Sequence, residues 1–283
     1  METITDVQTM QERCATARQA GRRIAFVPTM GYLHEGHLSL LREGRRRGDL
    51  LVLSIFVNPA QFGQGEDLDA YPRDLTRDSE LARSAGVDLI FAPEARDVYP
   101  AGYATYVEVE GLTDTLCGRS RPGHFRGVTT VVCKLFNIVQ PHMALFGRKD
   151  FQQLAVIRRM TRDLNLPVEI VGMPIVREPD GLAMSSRNVY LSADERRQAL
   201  ALIGAVRLAV KRVGEGERRA AVLIDAVRLR IEREPDASMD YVQICHADTL
   251  EDVETVDSDS VMLLAVRIGG TRLIDNHYLF QEV

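Results

Sequence analysis

The apolar positions of this chain fall into two patterns, short runs that are mostly apolar and longer stretches with helical spacing. The runs are typical of strands in a parallel sheet buried on both faces, and they cover residues 24–27, 50–57, 87–91, 143–146 and 168–176. Between them the helical spacing predicts amphipathic helices, at residues 4–20, 36–47, 73–85, 124–139 and 150–163. Strands that alternate with helices predict a Rossmann-like, doubly wound parallel α/β domain. Residues 105–109 alternate apolar with polar and predict one more short strand.

The pattern changes after residue 176. The second half contains two charged amphipathic helices followed by three strands, predicted at residues 192–213, 217–233, 238–247, 261–268 and 272–280. Ser192 and Glu195 have the spacing of a capping box at the start of the first helix. Gly269-Gly270 between two strands is a hairpin signal. We therefore predict a smaller α+β region with antiparallel pairing.

Length, composition and charge restrict the classes of function. The 283 residues suffice for two modest domains, which we place at 1–176 and 177–283. Hydrophobic residues make up 45% and charged residues 27%, as in ordinary soluble proteins, and the net charge of −5 gives no basic surface for nucleic acid. No apolar run reaches membrane-spanning length, the N-terminus does not resemble a signal peptide, and the four cysteines are scattered. We expect a cytoplasmic protein that binds neither nucleic acid nor membrane.

Candidate chemistry is concentrated where the first buried strand feeds a helix. The run 24–27 breaks at Pro28 and Gly31, and a helix starts near Gly36. Such a junction points backbone N–H groups and the positive end of a helix dipole at a bound group, which favours phosphate. His34 and His37 are three residues apart at this helix start, so both rings can reach the same anion. Their spacing also fits a structural pair or a metal site, although no third metal ligand follows in a recognisable pattern.

Two further polar segments follow strand ends. Residues 58–61 come after the second run, and residues 147–153 come after the fourth. In open parallel sheets the ligand binds beyond the carboxyl ends of the strands, so the topology brings both segments to the edge that carries residues 29–37. Lys149 follows a strand end and a glycine, where its compact charge suits a phosphate.

Several sequence blocks together resemble a known family. Pro28–His37 resembles the HxGH signature of the nucleotidylyltransferase superfamily, in the surroundings it has in the pantothenate synthetase (pantoate–β-alanine ligase) family. The other blocks similar to that family are Ser54–Phe62, Tyr71–Arg73, Arg121–Val128, Phe146–Gln153 and Asp180–Asn188. They follow the family's order and spacing, and the resemblance runs from about residue 4 to the end.

The resemblance implies an ATP-dependent ligase in the biosynthesis of vitamin B5 and coenzyme A. Such an enzyme condenses (R)-pantoate with β-alanine through a pantoyl adenylate, and releases AMP and pyrophosphate. The resemblance also implies Mg²⁺ as the companion of ATP, without identifying a metal ligand, and a homodimer. Residues 1–176 would bind the nucleotide and pantoate, and residues 177–283 would act as a lid domain.

Family position implies three sets of site residues. The catalytic set is His34, His37 and Lys149. The ATP-binding set is Met30, Gly31, Tyr32, Leu33, His34, Glu35, Gly36, His37, Gly147, Arg148, Lys149, Asp150, Val176, Met184, Ser185, Ser186 and Arg187. The set for pantoate and β-alanine is Asn58, Gln61 and Gln153, because amides can donate to a carboxylate and accept from hydroxyls.

One position departs from the family's pattern, since Arg148 stands where the family usually has Glu. The glycine-rich, acidic segment 63–69 is a candidate lid loop. Two other functions are compatible with an HxGH signature. One is a nucleotidylyltransferase acting on a phosphorylated alcohol, which the blocks around Gln61 and Gln153 argue against. The other is an inactive nucleotide-binding regulator, which the intact set of histidines, Lys149 and the serine–arginine cluster argues against.

Overall fold

The structure, a computed structural model, describes residues 1–283 as two compact units. Unit 1 consists of Met1–Thr113, Arg121–Arg148 and Gln153–Pro174, and unit 2 consists of Asp114–Ser120, Lys149–Gln152 and Ile175–Val283. Two short segments of the N-terminal half, 114–120 and 149–152, therefore group with the C-terminal half. The apolar pattern of the sequence did not indicate this exchange.

Unit 1 is built on a six-stranded parallel sheet. Its strands are β1 (Glu2–Ile4), β2 (Ile24–Thr29), β3 (Leu50–Ile55), β4 (Leu89–Phe91), β5 (Met143–Gly147) and β6 (Glu169–Met173). Their spatial order is β1-β4-β3-β2-β5-β6. The chain thus moves outward from β2 in one direction and later returns to its other side. The predicted doubly wound, Rossmann-like fold is confirmed.

Helices cover both faces of this sheet. They are α1 (Val7–Gln19), α2 (Glu35–Arg47), α3 (Leu75–Ser84), α4 (Ala95–Val98), α6 (His124–Val139) and α7 (Phe151–Asp163). Ala25 and Val27 of β2 belong to the same buried cluster as Leu41 of α2. Phe26 points to the other face, where its ring meets Phe136 of α6 edge-on with centroids 6.5 Å apart. Because neighbouring strand residues face opposite sides, burial on both faces requires the continuous apolar runs of the central strands β2 and β3.

The predicted strand at Thr105–Val109 is wrong, because this segment pairs with no other strand. The backbone N–H of Val107 donates to Thr130 Oγ1 at 3.0 Å, and its carbonyl accepts from Thr129 Oγ1 at 2.6 Å. Side chains of α6 therefore satisfy backbone groups that a neighbouring strand would otherwise bind. Alternation of polar and apolar residues indicates an extended backbone, but it does not identify the partner.

The first predicted helix also begins later than expected. Glu2–Ile4 forms β1, and α1 begins at Val7 after Asp6, whose carboxylate accepts from the N–H of Thr9 at 2.7 Å. The short pairing of β1 with β4 is parallel and long-range. Three residues at a chain terminus carry too little pattern to predict it.

Unit 2 is an antiparallel sheet with two long helices. Its elements are α5 (Leu116–Ser120), α8 (Ala193–Gly214), α9 (Ala220–Ile231), β7 (Ala237–His246), β8 (Ser260–Ile268) and β9 (Thr271–Tyr278). The capping box at Ser192 and Glu195 is present, and β8 and β9 form the hairpin predicted at Gly269-Gly270. The smaller α+β fold is confirmed. None of the helices in the structure combines the length and apolar character needed to span a bilayer.

Gly127 of α6 supplies the first test of this packing. A Cβ atom there would collide with the carbonyl of Ala60, which belongs to the short 3₁₀ helix Pro59–Gln61. We expect Gly127→Ala to lower the free energy of unfolding by about 2–3 kcal/mol, because α6 or the backbone of the 3₁₀ helix would have to move to make room for the methyl group. Chemical denaturation measures the change. Gly214→Ala is the control, since a Cβ at this helical position meets nothing within 4 Å, and equal effects of the two substitutions would contradict the packing argument.

Candidate active site

The turn that follows β2 contains two consecutive residues with left-handed backbone conformation. Gly31 has φ +84° and Tyr32 has φ +50°. A Cβ at position 31 would lie 2.9 Å from both Asp78 Oδ2 and Ile55 Cγ2, so only glycine fits. The positive φ of Tyr32 costs about 1–2 kcal/mol, since its Cβ crowds the following carbonyl. Other interactions must therefore stabilise this turn.

The carboxylate of Asp78, on α3, supplies that stabilisation. Its two oxygens accept from the N–H groups of Tyr32 at 2.6 Å and Leu33 at 2.7 Å, and the residue is 1% exposed. Burial raises the pKa of Asp78, and the two N–H groups oppose that rise. The sequence pattern and the family resemblance did not indicate a role for Asp78 in the site. The available signal was its spacing with Ala82, which puts a carboxylate on the buried stripe of α3.

The two histidines form a capping box at the start of α2. Nδ1 of His34 accepts from the N–H of Gly36 at 3.1 Å, and Nδ1 of His37 accepts from the N–H of His34 at 3.3 Å. The rings stack with centroids 4.1 Å apart. Because Nδ1 is the acceptor in both, each neutral ring carries its proton on Nε2. Two Nε2–H donors thus lie at the N-terminus of α2, the positive end of its helix dipole.

Gln61 lies beside the same turn. Its Nε2 approaches Met30 Sδ at 3.1 Å, and its Oε1 accepts from Asn58 Nδ2 at 3.2 Å. Asn58 itself is 1% exposed, accepts from the Tyr99 hydroxyl at 2.8 Å and donates to the Gly127 carbonyl at 3.1 Å. The structure therefore brings Gln61 and Met30 together. The side-chain amide of Asn58 is hydrogen-bonded to other protein groups, and its bond to Gln61 Oε1 helps to orient the Gln61 side chain.

The candidate lid loop, 63–69, is joined to the segment before α6 by an ion pair. The guanidinium of Arg121 donates to both carboxylate oxygens of Glu66, at 2.7 and 2.6 Å. Burial alone would raise the pKa of Glu66, but the Arg121 charge and hydrogen bonds hold it at about 2. On the other side of the loop Arg73 donates to the Leu68 carbonyl at 2.9 Å. The loop is thus fastened at two points within unit 1.

Lys149, in unit 2, lies among charged groups of both signs. Burial lowers the pKa of Lys149, and the charges of Asp150, Arg187, Asp275 and Arg272 also act on it. Lys149 and Arg187, which are 38 positions apart in the sequence, are therefore close enough to influence each other's charge. Two neighbouring cations create a positive potential that suits a polyanionic ligand.

The serine–arginine cluster is carried by a hairpin. The N–H of Met184 donates to the Val176 carbonyl at 3.0 Å, which closes the hairpin. Ser185 then caps the short 3₁₀ helix Ser186–Tyr190, with its hydroxyl accepting from the N–H of Arg187 at 3.3 Å. The structure thus joins Val176 and Met184 with Ser185, Ser186 and Arg187 in one local element of unit 2.

The remaining predicted residues are distributed between the two units. Gly147 ends β5, and the N–H of Arg148 donates to the Met173 carbonyl at 2.8 Å. Glu35 forms an ion pair with Arg42 on the surface of α2. Gln153 is partly exposed in unit 1. Its neighbour Gln152 is buried, accepts from Cys117 N at 2.9 Å and donates to the Thr115 carbonyl at 2.9 Å, which explains why only the second glutamine of the pair faces outward.

The position of the HxGH turn in the sheet is itself informative. β5 pairs with β2 on the side opposite β3, with Ala25 opposite Met143 and Phe26 opposite Ala144. The strand order reverses between β2 and β5, and crevices at such switch points bind ligands beyond the carboxyl ends of the strands. The turn Met30–His37 therefore follows β2, and Gly147 ends β5, the two strands that flank the switch point.

Comparison with known proteins agrees with this arrangement. The model of the family described as pantoate–β-alanine ligase matches residues 2–278. The chain belongs to the pantoate–β-alanine ligase family. Pantothenate synthetase of Syntrophotalea carbinolica is 70% identical over 283 residues, covering all of both chains, and that of Geobacter sulfurreducens is 58% identical over 282 residues, covering all of both.

Solved structures of the pantoate–β-alanine ligase family share the whole fold. Pantothenate synthetase from Thermus thermophilus is 46% identical, with a TM-score of 0.94 over 99% of this chain and 100% of that one. Pantoate–β-alanine ligase from Francisella tularensis, crystallised with β-γ ATP and β-alanine, is 30% identical, with a TM-score of 0.81 over 100% of this chain and 99% of that one. The family resemblance noted in the sequence is confirmed.

Asp78 supplies a test of how the family's turn is held in this chain. In Asp78→Asn an amide NH₂ replaces one acceptor, which leaves the N–H of Tyr32 or Leu33 unpaired. We expect the free energy of unfolding to fall by about 2–3 kcal/mol and ATP affinity, measured by calorimetry, to fall with it. Asp74→Asn is the control on the same helix, because Asp74 is an exposed N-cap and asparagine caps equally well. Equal losses in the two variants would remove Asp78 from this role.

Proposed function

We propose that this chain condenses (R)-pantoate with β-alanine in an ATP-dependent reaction that forms pantothenate. The observation that carries the proposal is a family match over residues 2–278 together with the stacked pair His34 and His37 at the switch point of the sheet. The ligase fold alone would not assign the chemistry. The proposal therefore depends on the donors at this turn.

In the first step a carboxylate oxygen of pantoate attacks the α-phosphorus of ATP, and the bond to pyrophosphate breaks. Negative charge moves onto phosphate oxygens, so fixed donors and cations stabilise the transition state. The Nε2–H groups of His34 and His37 supply neutral donors. Lys149, Ser185, Ser186 and Arg187 supply the cations and hydroxyls, and we propose that all of these groups act on the same triphosphate.

In the second step the amine of β-alanine attacks the acyl carbon of pantoyl adenylate. The acyl–phosphate bond breaks, AMP leaves, and the amine proton passes to water. Adenylate is a good leaving group, so exclusion of competing water matters more than a dedicated base. The loop 63–69, with its Glu66–Arg121 ion pair, is proposed as the lid. Gln61 and Gln153 are proposed to hold pantoate, and residues 177–283 to close over the nucleotide.

Mg²⁺ is proposed to enter with ATP. No group of three or more His, Cys, Asp or Glu side chains is placed to hold a metal ion in the structure. The oxygens of Asp78 are engaged by backbone N–H groups. Mg²⁺ keeps several waters and binds mainly through substrate phosphates, so few protein ligands are needed. It would neutralise charge on the triphosphate.

A homodimer and a cytoplasmic location are also proposed. The segment 104–110 is mostly exposed and pairs with no strand of a sheet, and exposed backbone without strand partners favours association. Sedimentation measures the assembly. The four cysteines are free thiols, as a reducing compartment would keep them.

One assay tests the proposed reaction. The purified chain is incubated with ATP, Mg²⁺, pantoate and β-alanine, and AMP and pantothenate are measured. We expect one AMP for each pantothenate, and no AMP when either pantoate or β-alanine is withheld from multiple-turnover reactions. Transfer of the adenylyl group of ATP to a phosphorylated alcohol, with release of pyrophosphate and no free AMP, would instead support the nucleotidylyltransferase alternative.

The donors are tested by single substitutions. We expect Lys149→Ala and His37→Ala each to slow adenylate formation by about 10²–10³-fold, the usual effect of removing one preorganised donor. Single-turnover measurements with ATP and pantoate give the rate. Lys211→Ala and His277→Ala are matched controls away from the motifs. Rates near that of the parent would remove either residue from the catalytic set.

The proposed lid is tested through the yield of the second step. In Glu66→Gln the ion pair with Arg121 is lost, so we expect water to reach the adenylate and the ratio of AMP to pantothenate to rise above one. Asp69→Asn, an exposed change in the same loop, is the control. Because the pKa of Glu66 falls from 4.5 to about 2 in the folded protein, the pair contributes fully above pH 4.5 and is lost only as pH falls through about 2. A ratio of one in Glu66→Gln would argue against the lid.

A further inference from the structure

Strand β9 places two adjacent polar residues in the interior of unit 2. Asp275 is 2% exposed and Asn276 is 4% exposed. Burying a carboxylate and an amide is costly unless each finds partners. Neither residue belongs to the site that the family resemblance implies, so their partners indicate why the strand carries them.

Asn276 is bound to the backbone of the catalytic lysine. Its Nδ2 donates to the carbonyl of Lys149 at 2.8 Å. The N–H of Asn276 in turn donates to Asp275 Oδ1 at 2.8 Å, so the two residues are linked. Lys149 lies in the segment 149–152, which groups with unit 2 rather than with the strand that precedes it. The amide of Asn276 therefore joins β9 to that segment.

Asp275 is bound to the hairpin that carries the serine–arginine cluster. Its carboxylate accepts from Arg177 Nη1 at 2.7 Å and Nη2 at 2.9 Å, a two-pronged ion pair at a nearly fully buried acid. Arg177 also donates to the Gly181 carbonyl at 3.2 Å, within the same hairpin. Such paired charge-assisted bonds fix orientation as well as distance.

We propose that Asp275 and Asn276 are positioning residues that hold Lys149 and the hairpin 176–187 in a single arrangement for phosphate binding. Neither side chain needs to touch a substrate, because each acts through a group that does. The inference rests on the proposed function for the role of Lys149. What β9 adds is a common support for two phosphate-binding elements that are distant in the sequence.

The effect of Asp275 on Lys149 can be measured through the protonation of the lysine, because charged groups surround it. Asp150 at the start of α7, Arg187 on the 3₁₀ helix, and Asp275 and Arg272 on β9 all act on the lysine. The Asp275 carboxylate favours the ammonium form, whereas the two arginines oppose it. Removing the carboxylate therefore makes Lys149 lose its proton at lower pH.

The first variant is Asp275→Asn. We expect the alkaline limb of the pH profile of kcat/KM for ATP to move to lower pH, because the carboxylate that favours the ammonium form is gone. Acetylation of Lys149 by trace acetic anhydride, quantified by peptide mass spectrometry across pH, should show the same displacement. This variant leaves the Arg177 guanidinium without a carboxylate partner. In the double variant Arg177→Gln/Asp275→Asn both members of the pair are neutral, and we expect the same displacement.

The second variant is Asn276→Ala. We expect kcat to fall by about 100-fold, since a small displacement of one donor is enough for such a loss, with the KM for β-alanine and the alkaline limb unchanged. Thr271→Val is the matched control, because Thr271 is a buried polar residue earlier on the same strand. We expect its kcat and pH profile to equal those of the parent.

The proposal is overturned if Asp275→Asn and the double variant keep the parent's acetylation profile for Lys149, or if folded Asn276→Ala keeps the parent's kcat. A loss of activity proportional to the fraction unfolded, with no displacement in pH, would also overturn it, because that result means a merely structural role. If the parent makes no pantothenate, the proposed function fails. The acetylation profile and calorimetric ATP affinity of the same variants then still decide whether β9 positions Lys149.

Discussion

The buried carboxylate of Asp78 is the interaction on which the HxGH turn depends. Of the two successive left-handed residues in this turn, Gly31 adopts the conformation readily, whereas Tyr32 does so at a cost of about 1–2 kcal/mol. Two backbone N–H groups donate to the Asp78 carboxylate, and these charge-assisted hydrogen bonds, each contributing about 1.5–3 kcal/mol, offset that cost. The helix α2 can then begin directly after His34, and the capping box sets the tautomer of both imidazoles. The orientation of the Nε2 donors therefore depends on Asp78, a residue of the neighbouring helix α3.

Unit 2 uses the same physical principle at a different place. Asp275 and Asn276 are buried acceptor and donor groups on a regular strand, and their partners are Arg177 and the backbone of Lys149. In both units the groups that would meet phosphate are attached to loops or helix starts, whereas the polar residues that fix them are on the rigid scaffold. Precise sites require this kind of support, because an unsupported side chain moves by more than a reaction tolerates.

The sequence predicted what depends on local pattern and missed what depends on distant pairing. The apolar run at 50–57, the capping box at Ser192 and the Gly269-Gly270 hairpin each leave a signature within a few residues, because burial and turn geometry act locally. Asp78 contacts residues 45 and 46 positions away, and Asn276 contacts a residue 127 positions away. Such pairs leave no periodic trace in one sequence. The strand prediction for residues 105–109 was wrong for the same reason, since the hydrogen-bonding partners of Val107 are threonine side chains of α6.

The arrangement of fixed donors also fits the kind of chemistry proposed. Adenylation of a carboxylate moves charge between oxygens and requires no protein base, so its catalyst needs groups whose protonation stays constant. Imidazoles anchored through Nδ1 present an N–H donor without having to become charged. Arginine stays protonated at any physiological pH, whereas burial lowers the pKa of Lys149. The acid of β9 opposes that movement. A scaffold carboxylate that keeps an ammonium charged is thus the counterpart, in unit 2, of the carboxylate that keeps the imidazoles in place in unit 1.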